Sequence, residues 1–479
     1  MPESKGSTDD IYSSILTQGE LAEISTRKIR LELPLEATRW SKHELAEMAT
    51  QKTSAVRISE TISEKSIAAE PVLDKPAHPL RAFWLSWYTA FKKILPVYVA
   101  VHLALIAMSC LAFLYTNHDF SSTIMRVSTL WTQWHHWDTG YYLQIALHGY
   151  VQKKQMAFFP LYPLLERAVM IATGDPFIAG MLVSNGAELL MFTALYRLVE
   201  HDFGVERAFH TVLYLAIFPT AFFFSIAYTE ATFLCLSTLT FLQIRRGHWW
   251  TAALFGFLAC LTRPDGMFLA IPFCYEYLHR KWPQEVTSLR MFLAKKQLFL
   301  LIRSIRFDIL LCLCIPLGIL CVMIIGMDQF TDPLAFVHAH ASWGRFMAVP
   351  GYNMVKSMWA IYNHGLISFT TMRSLTDLLP DLLLGILILL CFIGKWRLPP
   401  RLWSYGLYAL ALYTYFQLFT KSGNFPLESM SRFLLELFPA FVILSNIRRN
   451  RLLHLSYFML ALAVFFFLST QFATGHWVL

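Results

Sequence analysis

The sequence predicts an all-α polytopic membrane protein, and three observations support this fold class. Of its 479 residues, 56% are hydrophobic and 15% aromatic, and the mean hydropathy is +0.46, which lies outside the range of ordinary soluble domains. Apolar runs recur between residues 94 and 472, and many approach the roughly 20 helical residues that a bilayer core requires. Basic residues cluster in the short loops between these runs, as the positive-inside rule expects.

The N-terminal region differs in composition from the rest of the chain. Residues 1 to 93 carry 13 basic and 13 acidic side chains, and residues 1 to about 80 lack sustained apolar periodicity, so they cannot bury enough surface to offset the entropy of ordering. We therefore predict a disordered cytoplasmic tail over 1–80 and a membrane-embedded domain over 81–479. The formal net charge of +8 then belongs to the membrane part, and no nucleic-acid partner is predicted.

Eleven membrane spans are predicted. Nine of them are single apolar runs, at 94–116, 177–198, 208–226, 230–246, 307–327, 376–394, 402–419, 432–446 and 453–472. The run 249–279 is too long for one helix, and Pro264 and Gly266 interrupt it, so it predicts a hairpin of two short helices with its tip at Arg263. The segment 158–173 is short and contains prolines, which favours an interfacial or re-entrant position over a span.

This count places the most basic loops on one side of the membrane, which we assign as cytoplasmic. These loops are 245–248, 280–306, 395–401 and 448–451. The extracytoplasmic side then receives the loops 117–157 and 328–375, the turn 228–230, the tip at Arg263 and the segment 420–432.

Ionisable residues at the apolar boundaries are predicted to converge on this extracytoplasmic side. They are Asp138, Glu230, Arg263, Asp332, Arg345 and Arg432. Because charges at membrane depth cost several kcal/mol unless they are paired or solvated, their clustering predicts a water-filled polar cavity. One candidate base among several arginines suits an anionic lipid-phosphate substrate, since arginine binds phosphate bidentately and stays charged in partly dry surroundings.

The residues also carry a family resemblance. A first motif consists of Trp137, Asp138, Tyr142, Ile145, Ala146, Gly149 and Tyr150, followed by FFPLYPLL from Phe158. Weaker matches follow in order: Pro219 with the turn 228–230, Thr262 to Pro264 with Gly266, Asp332 and Pro333 through Trp343 to Arg345, and SRFLLELFP from Ser431. Over roughly residues 94–479 the chain resembles the PIG-V family, which includes GPI mannosyltransferase 2 and bacterial relatives.

This resemblance implies a GT-C-type transmembrane helix bundle with an extracytoplasmic loop that bears amphipathic helices. It further implies a mannosyltransferase that uses polyprenyl-phosphate mannose as its donor and a glycolipid or lipid-linked glycan as its acceptor, among membrane lipids and without a cofactor. The sequence contains no N-x-S/T sequon, which favours a bacterial plasma membrane over the endoplasmic reticulum.

An inverting transfer needs a base for the acceptor hydroxyl and cations for the leaving phosphate, and Asp138 is the predicted base. The predicted substrate-binding residues are His136, Trp137, Tyr141, Tyr142, Glu230, Arg263, Arg345 and Arg432. No metal site is predicted, because no Asp-x-Asp motif or convincing pair of carboxylates is present.

Alternatives stay open for several of these residues. Asp138 or Glu230 could be helix caps, Arg263 an interfacial snorkelling residue, and the aromatic residues an interfacial belt. The pair His338 and His340 has the spacing of a metal site on a strand, but a polar loop is favoured because a third ligand is lacking. For the whole protein, a transporter or lipid flippase is the main alternative function, followed by a histidine-dependent acyltransferase and a non-catalytic scaffold.

Overall fold

The structure, a computed structural model, describes residues 79–116, 127–281, 307–365, 367–423 and 425–476. Almost all of the predicted tail 1–80 and most of the predicted loop 280–306 lie outside these residues. The α-helices are α1 Pro79–Thr116, α2 Val127–Thr132, α3 Asp138–His148, α4 Leu161–Thr173, α5 Pro176–Phe203, α6 Val205–Ala216, α7 Glu230–Arg246, α8 Trp249–Thr262, α9 Ala270–Lys281, α10 Leu317–Phe330, α11 Ala335–Ala341, α12 Tyr352–His364, α13 Phe369–Leu390, α14 Trp403–Leu418, α15 Met430–Phe433, α16 Phe438–Leu444 and α17 Arg451–Ala473. The predicted helical membrane architecture is thus confirmed over the described residues.

Short 3₁₀ segments connect several of these helices. They are Lys153–Ala157, Ala221–Phe224, Pro264–Leu269, Phe307–Cys314, Pro400–Leu402, Leu434–Glu436 and Ser445–Arg449. The segment Pro264–Leu269 forms the tip of the predicted hairpin between α8 and α9, so the break at Arg263 is confirmed. The chain turns tightly there, because a Cβ atom added to Gly266 would lie 2.4 Å from the backbone nitrogen of Cys260.

Three described helices are long and apolar enough to cross a membrane, namely α1, α5 and α17. The number rises to five if two bent pairs each count as one span, Phe307–Cys314 with α10 and Met430–Glu436 with Phe438–Arg449. Eleven spans therefore stay a prediction. Two predicted spans are interrupted: the run 208–226 is helical only to Ala216 before its 3₁₀ segment, and the run 432–446 bends by 82°. Prolines explain both interruptions, since Pro219 and Pro439 cannot donate a helical hydrogen bond.

A small antiparallel sheet is an addition to the predicted all-α fold. Strand β1, Arg345–Met347, pairs with strand β2, Phe419–Lys421, and Arg345 is directly opposite Lys421. The two strands are far apart in the sequence and only three residues long, so no alternating pattern in the sequence could predict them.

Two of the basic loops that were predicted to share one side, 245–248 and 395–401, meet at one end of helix α7. Near its last residue, Arg245 donates to Asp202 at 2.8 Å, to Glu276 at 2.8 Å and to the carbonyl of Arg401 at 3.1 Å. Helix α7 begins at the other end with Glu230, and its 17 residues correspond to about 25 Å. These two loops and the residues around Glu230 therefore lie at opposite ends of one helix, at a separation close to the thickness of a bilayer core.

Candidate active site

The backbone before helix α3 adopts an unusual conformation that fixes Asp138. Trp137 has φ = 47°, a region that non-glycine residues occupy only when their surroundings require it. The hydroxyl of the buried Tyr228 bridges this turn: it accepts from the backbone N–H of Asp138 at 3.3 Å and donates to the carbonyl of His136 at 3.3 Å. Tyr228 thus holds both sides of Trp137 and orients the residue that follows it.

The carboxylate of Asp138 does not cap helix α3. Asp138 is the first residue of the helix, the N-cap position belongs to Trp137, and no side chain makes a capping hydrogen bond there. Instead Asp138 Oδ2 accepts from Arg432 Nη1 at 2.9 Å. The same holds for Glu230, because Thr229 occupies the N-cap of α7 and no side-chain cap is present. The alternative in which these two acids serve as caps is therefore wrong.

Arg432 links Asp138 to a second, deeper carboxylate. Its Nε atom lies 3.1 Å from Glu230 Oε1, and the same oxygen accepts from Arg263 Nη1 at 3.1 Å. The side chain of Glu230 is 1% exposed, whereas that of Asp138 is 18% exposed. Asp138 therefore lies at the open side of this chain of charges, and Glu230 lies behind both arginines.

Arg263 is surrounded by carboxylates. In addition to Glu230, its Nε atom lies 3.2 Å from Asp265 Oδ2 and 2.9 Å from Glu436 Oε1. The side chains of these two acids are 4% and 1% exposed. Such a fully compensated arginine, buried at the hairpin tip, is not a snorkelling side chain, and its charge is already balanced without a ligand.

These groups border a cavity of about 570 Å³, a size typical of sites for small ligands. Of the predicted site residues, Asp138, Tyr142, Arg263, Arg345 and Arg432 line it. The predicted polar cavity is thus present in the described part of the chain, and these five residues come from four widely separated segments.

Arg345 differs from the other two arginines because no described carboxylate pairs with it. Its Nη2 atom donates to the carbonyl oxygen of Glu428 at 3.4 Å, and its guanidinium lies 5.0 Å from the ring of Phe433. Burial, and next the charge of Arg432, lower the pKa of Arg345, so the protein holds this cation against an electrostatic cost. An anion in the cavity would relieve that cost.

Asp332 lies outside this cluster, contrary to the prediction. It contacts Lys153 at 2.7 Å and His338 at 2.7 Å, and these hydrogen bonds lower the pKa of Asp332 to about 2. His340 faces the cavity instead, and burial lowers the pKa of His340 to about 4. The two histidines thus diverge, and both lie on helix α11 rather than on a strand or in a loop. No group of three or more potential metal ligands occurs among the described residues.

Most of the predicted aromatic contacts lie beside the cavity. Tyr142 lines it, and its hydroxyl is 3.2 Å from that of Thr229. Tyr141 stacks on Phe158 with ring centroids 4.9 Å apart. The rings of Trp137 and His136 lie 4.7 and 5.7 Å from that of Phe472. Trp137 and His136 thus pack on Phe472 beside the turn around Asp138. Contact of these four aromatic residues with substrate stays a prediction.

The sequence did not single out several charged residues of the site. Glu436 lies within the SRFLLELFP motif, and Asp265 within the hairpin tip, but neither was assigned a role. Arg373, Lys421 and Glu428 also line the cavity, and they come from parts of the chain that carried no chemical motif. Only the folded structure brings them to the same cavity.

A family model described as mannosyltransferase (PIG-V) matches residues 104–397, more than half of the chain. The chain belongs to the PIG-V mannosyltransferase family. This confirms the resemblance on which the sequence-based prediction rested. The matched region includes Asp138, Glu230, Arg263 and Arg345, whereas Arg432 lies beyond it.

Curated relatives of this PIG-V chain are GPI mannosyltransferases. Human GPI alpha-1,6-mannosyltransferase 2 is 29% identical over 184 residues, 36% of this chain and 36% of the relative. GPI mannosyltransferase 2 of Schizosaccharomyces pombe is 27% identical over 177 residues, 36% of this chain and 38% of the relative. The chain therefore matches a little over a third of the length of these relatives.

Solved structures with some similarity to this PIG-V chain include the following two. ArnT from Cupriavidus metallidurans in the apo state has a TM-score of 0.43 and 16% identity, covering 74% of this chain and 59% of that chain. The Archaeoglobus fulgidus oligosaccharyltransferase has a TM-score of 0.38 and 11% identity, covering 79% and 53%.

The site of this PIG-V family member contains both a candidate base and a candidate anion-binding cation. Asp138 offers a carboxylate that is held by an arginine yet borders the cavity, as a general base requires. Arg345 offers a cation without a described carboxylate partner, as the binding of an anionic leaving group requires.

Proposed function

We propose that this protein is an inverting mannosyltransferase of the GT-C class. It transfers mannose from polyprenyl-phosphate mannose to a hydroxyl group of a glycolipid or lipid-linked glycan, at the extracytoplasmic face of a bacterial plasma membrane. Membership of the PIG-V family supports the type of reaction. The observation that carries the mechanism is the position of Asp138, the most exposed of the four carboxylates that contact Arg263 or Arg432.

In the proposed reaction Asp138 accepts the proton of the acceptor hydroxyl. Arg432 holds Oδ2 at 2.9 Å, which leaves Oδ1 for the acceptor hydroxyl. Oδ1 then takes the proton while the acceptor oxygen forms a bond to C1 of mannose. The bond between C1 and the phosphate oxygen breaks, its electron pair stays on that oxygen, and the configuration at C1 inverts.

The leaving phosphate must lie on the opposite side of the sugar from the base in an inverting transfer. Arg432 contacts Asp138 itself, and Arg263 is compensated by three carboxylates. Arg345 also lines the cavity, and it pairs with no described carboxylate. We therefore assign the leaving phosphate to Arg345 and give Arg263 and Arg432 the role of fixing the acidic side of the site.

The test is mannose transfer by the purified full-length chain in proteoliposomes. Polyprenyl-phosphate mannose with a radiolabelled sugar is supplied together with glycolipids extracted from membranes, and the label is followed into the acceptor. We expect labelled glycolipid from the wild-type protein and only background from Asp138→Asn. Movement of intact donor across the bilayer without sugar transfer would overturn this proposal in favour of the transporter or flippase alternative.

A further inference from the structure

Three further cations line the cavity, and we call them the cationic rim: Arg345, Arg373 and Lys421. Arg345 on β1 and Lys421 on β2 are cross-strand partners. Like charges directly opposite each other destabilise a pair of strands. An anion that contacts both cations would therefore stabilise this two-stranded sheet.

Glu428 supplies such an anion within the chain. Its carboxylate pairs with Lys421 through Oε1 and lies 3.8 Å from Arg373 through Oε2. Its carbonyl oxygen, rather than its carboxylate, accepts from Arg345 at 3.4 Å. Among the described residues, Glu428 is the one carboxylate within ion-pair distance of these cations, so one negative charge faces three positive charges.

The turn that carries Glu428 allows its carboxylate to move away from the cationic rim. It lies in a turn before the short helix α15, and the next residue, Ser429, has φ = 69°. The 3.8 Å separation from Arg373 exceeds hydrogen-bond length, so this part of the interaction is a loose ion pair. Withdrawing the carboxylate would leave the helices around it unchanged, because no helical hydrogen bond depends on it.

We propose that Glu428 occupies the position of the lipid phosphate before the donor binds, and that the phosphate of the polyprenyl carrier displaces it to bind the cationic rim. The donor phosphate is a diester with one charge and two terminal oxygens, and it becomes a monoester with up to two charges and three terminal oxygens when the sugar leaves. The monoester matches the rim better than a carboxylate does, because its oxygens suit two guanidinium groups and an ammonium group. The inference rests on the proposed function and adds Arg373, Lys421 and Glu428 to the donor site.

If the phosphate displaces Glu428, substitutions of Lys421 and Glu428 should change the affinity for phosphate in opposite directions. Loss of Lys421 removes a ligand of the phosphate and should weaken binding about tenfold, as expected for a hydrogen bond between charged groups. Loss of the Glu428 charge removes a competitor and should tighten binding about two- to fivefold, as expected for a partly exposed ion pair. A purely structural ion pair would make both substitutions weaken binding.

The experiment measures binding of polyprenyl phosphate without sugar to the full-length protein in detergent micelles. The variants are Lys421→Met, Arg373→Met and Glu428→Gln. Matched controls are Lys153→Met and Asp332→Asn, the two partners of the ion pair outside the cavity. We expect weaker binding for the first two variants, tighter binding for Glu428→Gln, and unchanged binding for both controls.

Several results would overturn the inference. They are unchanged affinity in Lys421→Met and Arg373→Met, weaker binding in Glu428→Gln, or no binding of polyprenyl phosphate by the wild-type protein. A second experiment tests whether the bound phosphate belongs to the polyprenyl carrier or to the acceptor. It measures KM for the glycolipid acceptor in the same variants. A change in that KM without a change in polyprenyl-phosphate affinity would assign the rim to an acceptor phosphate. Because binding is measured without sugar, it is independent of the outcome for mannose transfer.

Discussion

The sequence predicts substrate binding by both Arg263 and Arg345. The structure, however, predicts that Arg263→Met lowers stability and that Arg345→Met weakens donor binding. Arg263 lies against Glu230, Asp265 and Glu436, whose side chains are 1–4% exposed. Glu230 also contacts Arg432, but Asp265 and Glu436 have no other cation partner among the described residues. Arg263→Met therefore leaves two buried acids without a cation, and removing one partner of a buried ion pair costs about 3–5 kcal/mol.

Arg345→Met removes a partly buried cation that pairs with no described carboxylate, so it should cost little stability. Its effect should appear in donor binding, which loses a charge-assisted contact worth about 1.5–3 kcal/mol, or roughly tenfold or more in affinity. The alkyl part of methionine preserves the packing against Phe433. The two variants thus distinguish Arg263, which stabilises the acidic cluster, from Arg345, which binds the donor phosphate.

The assay combines thermal denaturation in detergent with donor saturation of mannose transfer. For Arg263→Met we expect a melting temperature lower by about 5 °C or more, and for Arg345→Met an unchanged melting temperature with a raised KM for the donor. If Arg263→Met were as stable as the wild type and Arg345→Met saturated normally with donor, the division of roles between these arginines would be refuted.

Two further predictions follow from the contacts around Asp138 and His340. Tyr228→Phe removes the hydroxyl that holds the backbone on both sides of Trp137. We therefore expect kcat to fall up to about tenfold while KM for the donor is unchanged. A normal kcat in steady-state kinetics would argue against this positioning role. Because burial lowers the pKa of His340 from 6.5 to about 4, the unfolded chain binds a proton that the folded chain does not, and stability should fall as the pH drops from about 6.5 towards 4. His340→Gln should flatten that dependence in thermal denaturation, and an identical pH profile in both proteins would contradict it.

Local signals in the sequence predicted much of the helical framework. Helix α7 begins at Glu230 and ends at Arg246 as predicted, because Gly247 takes a left-handed conformation at its C-terminus and such glycines end helices. The hairpin at Arg263 followed from its proline and flanking charges. The motif around Trp137 and Asp138 identified the family and the most exposed acid of the cluster.

Other features depend on contacts that no local pattern records. Arg432 and Asp138 are 294 positions apart, and their pairing exists only because α15 and α3 meet at the cavity. The third carboxylate on Arg263, Glu436, lies in a run that resembles an ordinary apolar span. Tertiary packing likewise creates the strands that place Arg345 beside Lys421, and it moves Asp332 out of the predicted cluster into an ion pair with Lys153.

Sugar transfer by Asp138→Asn tests most directly whether Asp138 is the general base. Asparagine keeps an oxygen that can accept from Arg432 at the 2.9 Å contact, but it cannot take a proton at neutral pH. General base catalysis contributes about 10²- to 10⁴-fold, so single-turnover transfer from bound polyprenyl-phosphate mannose should fall at least about 10²-fold while donor affinity is retained. Transfer at near wild-type rate by Asp138→Asn would show that the base lies elsewhere and would contradict the mechanism.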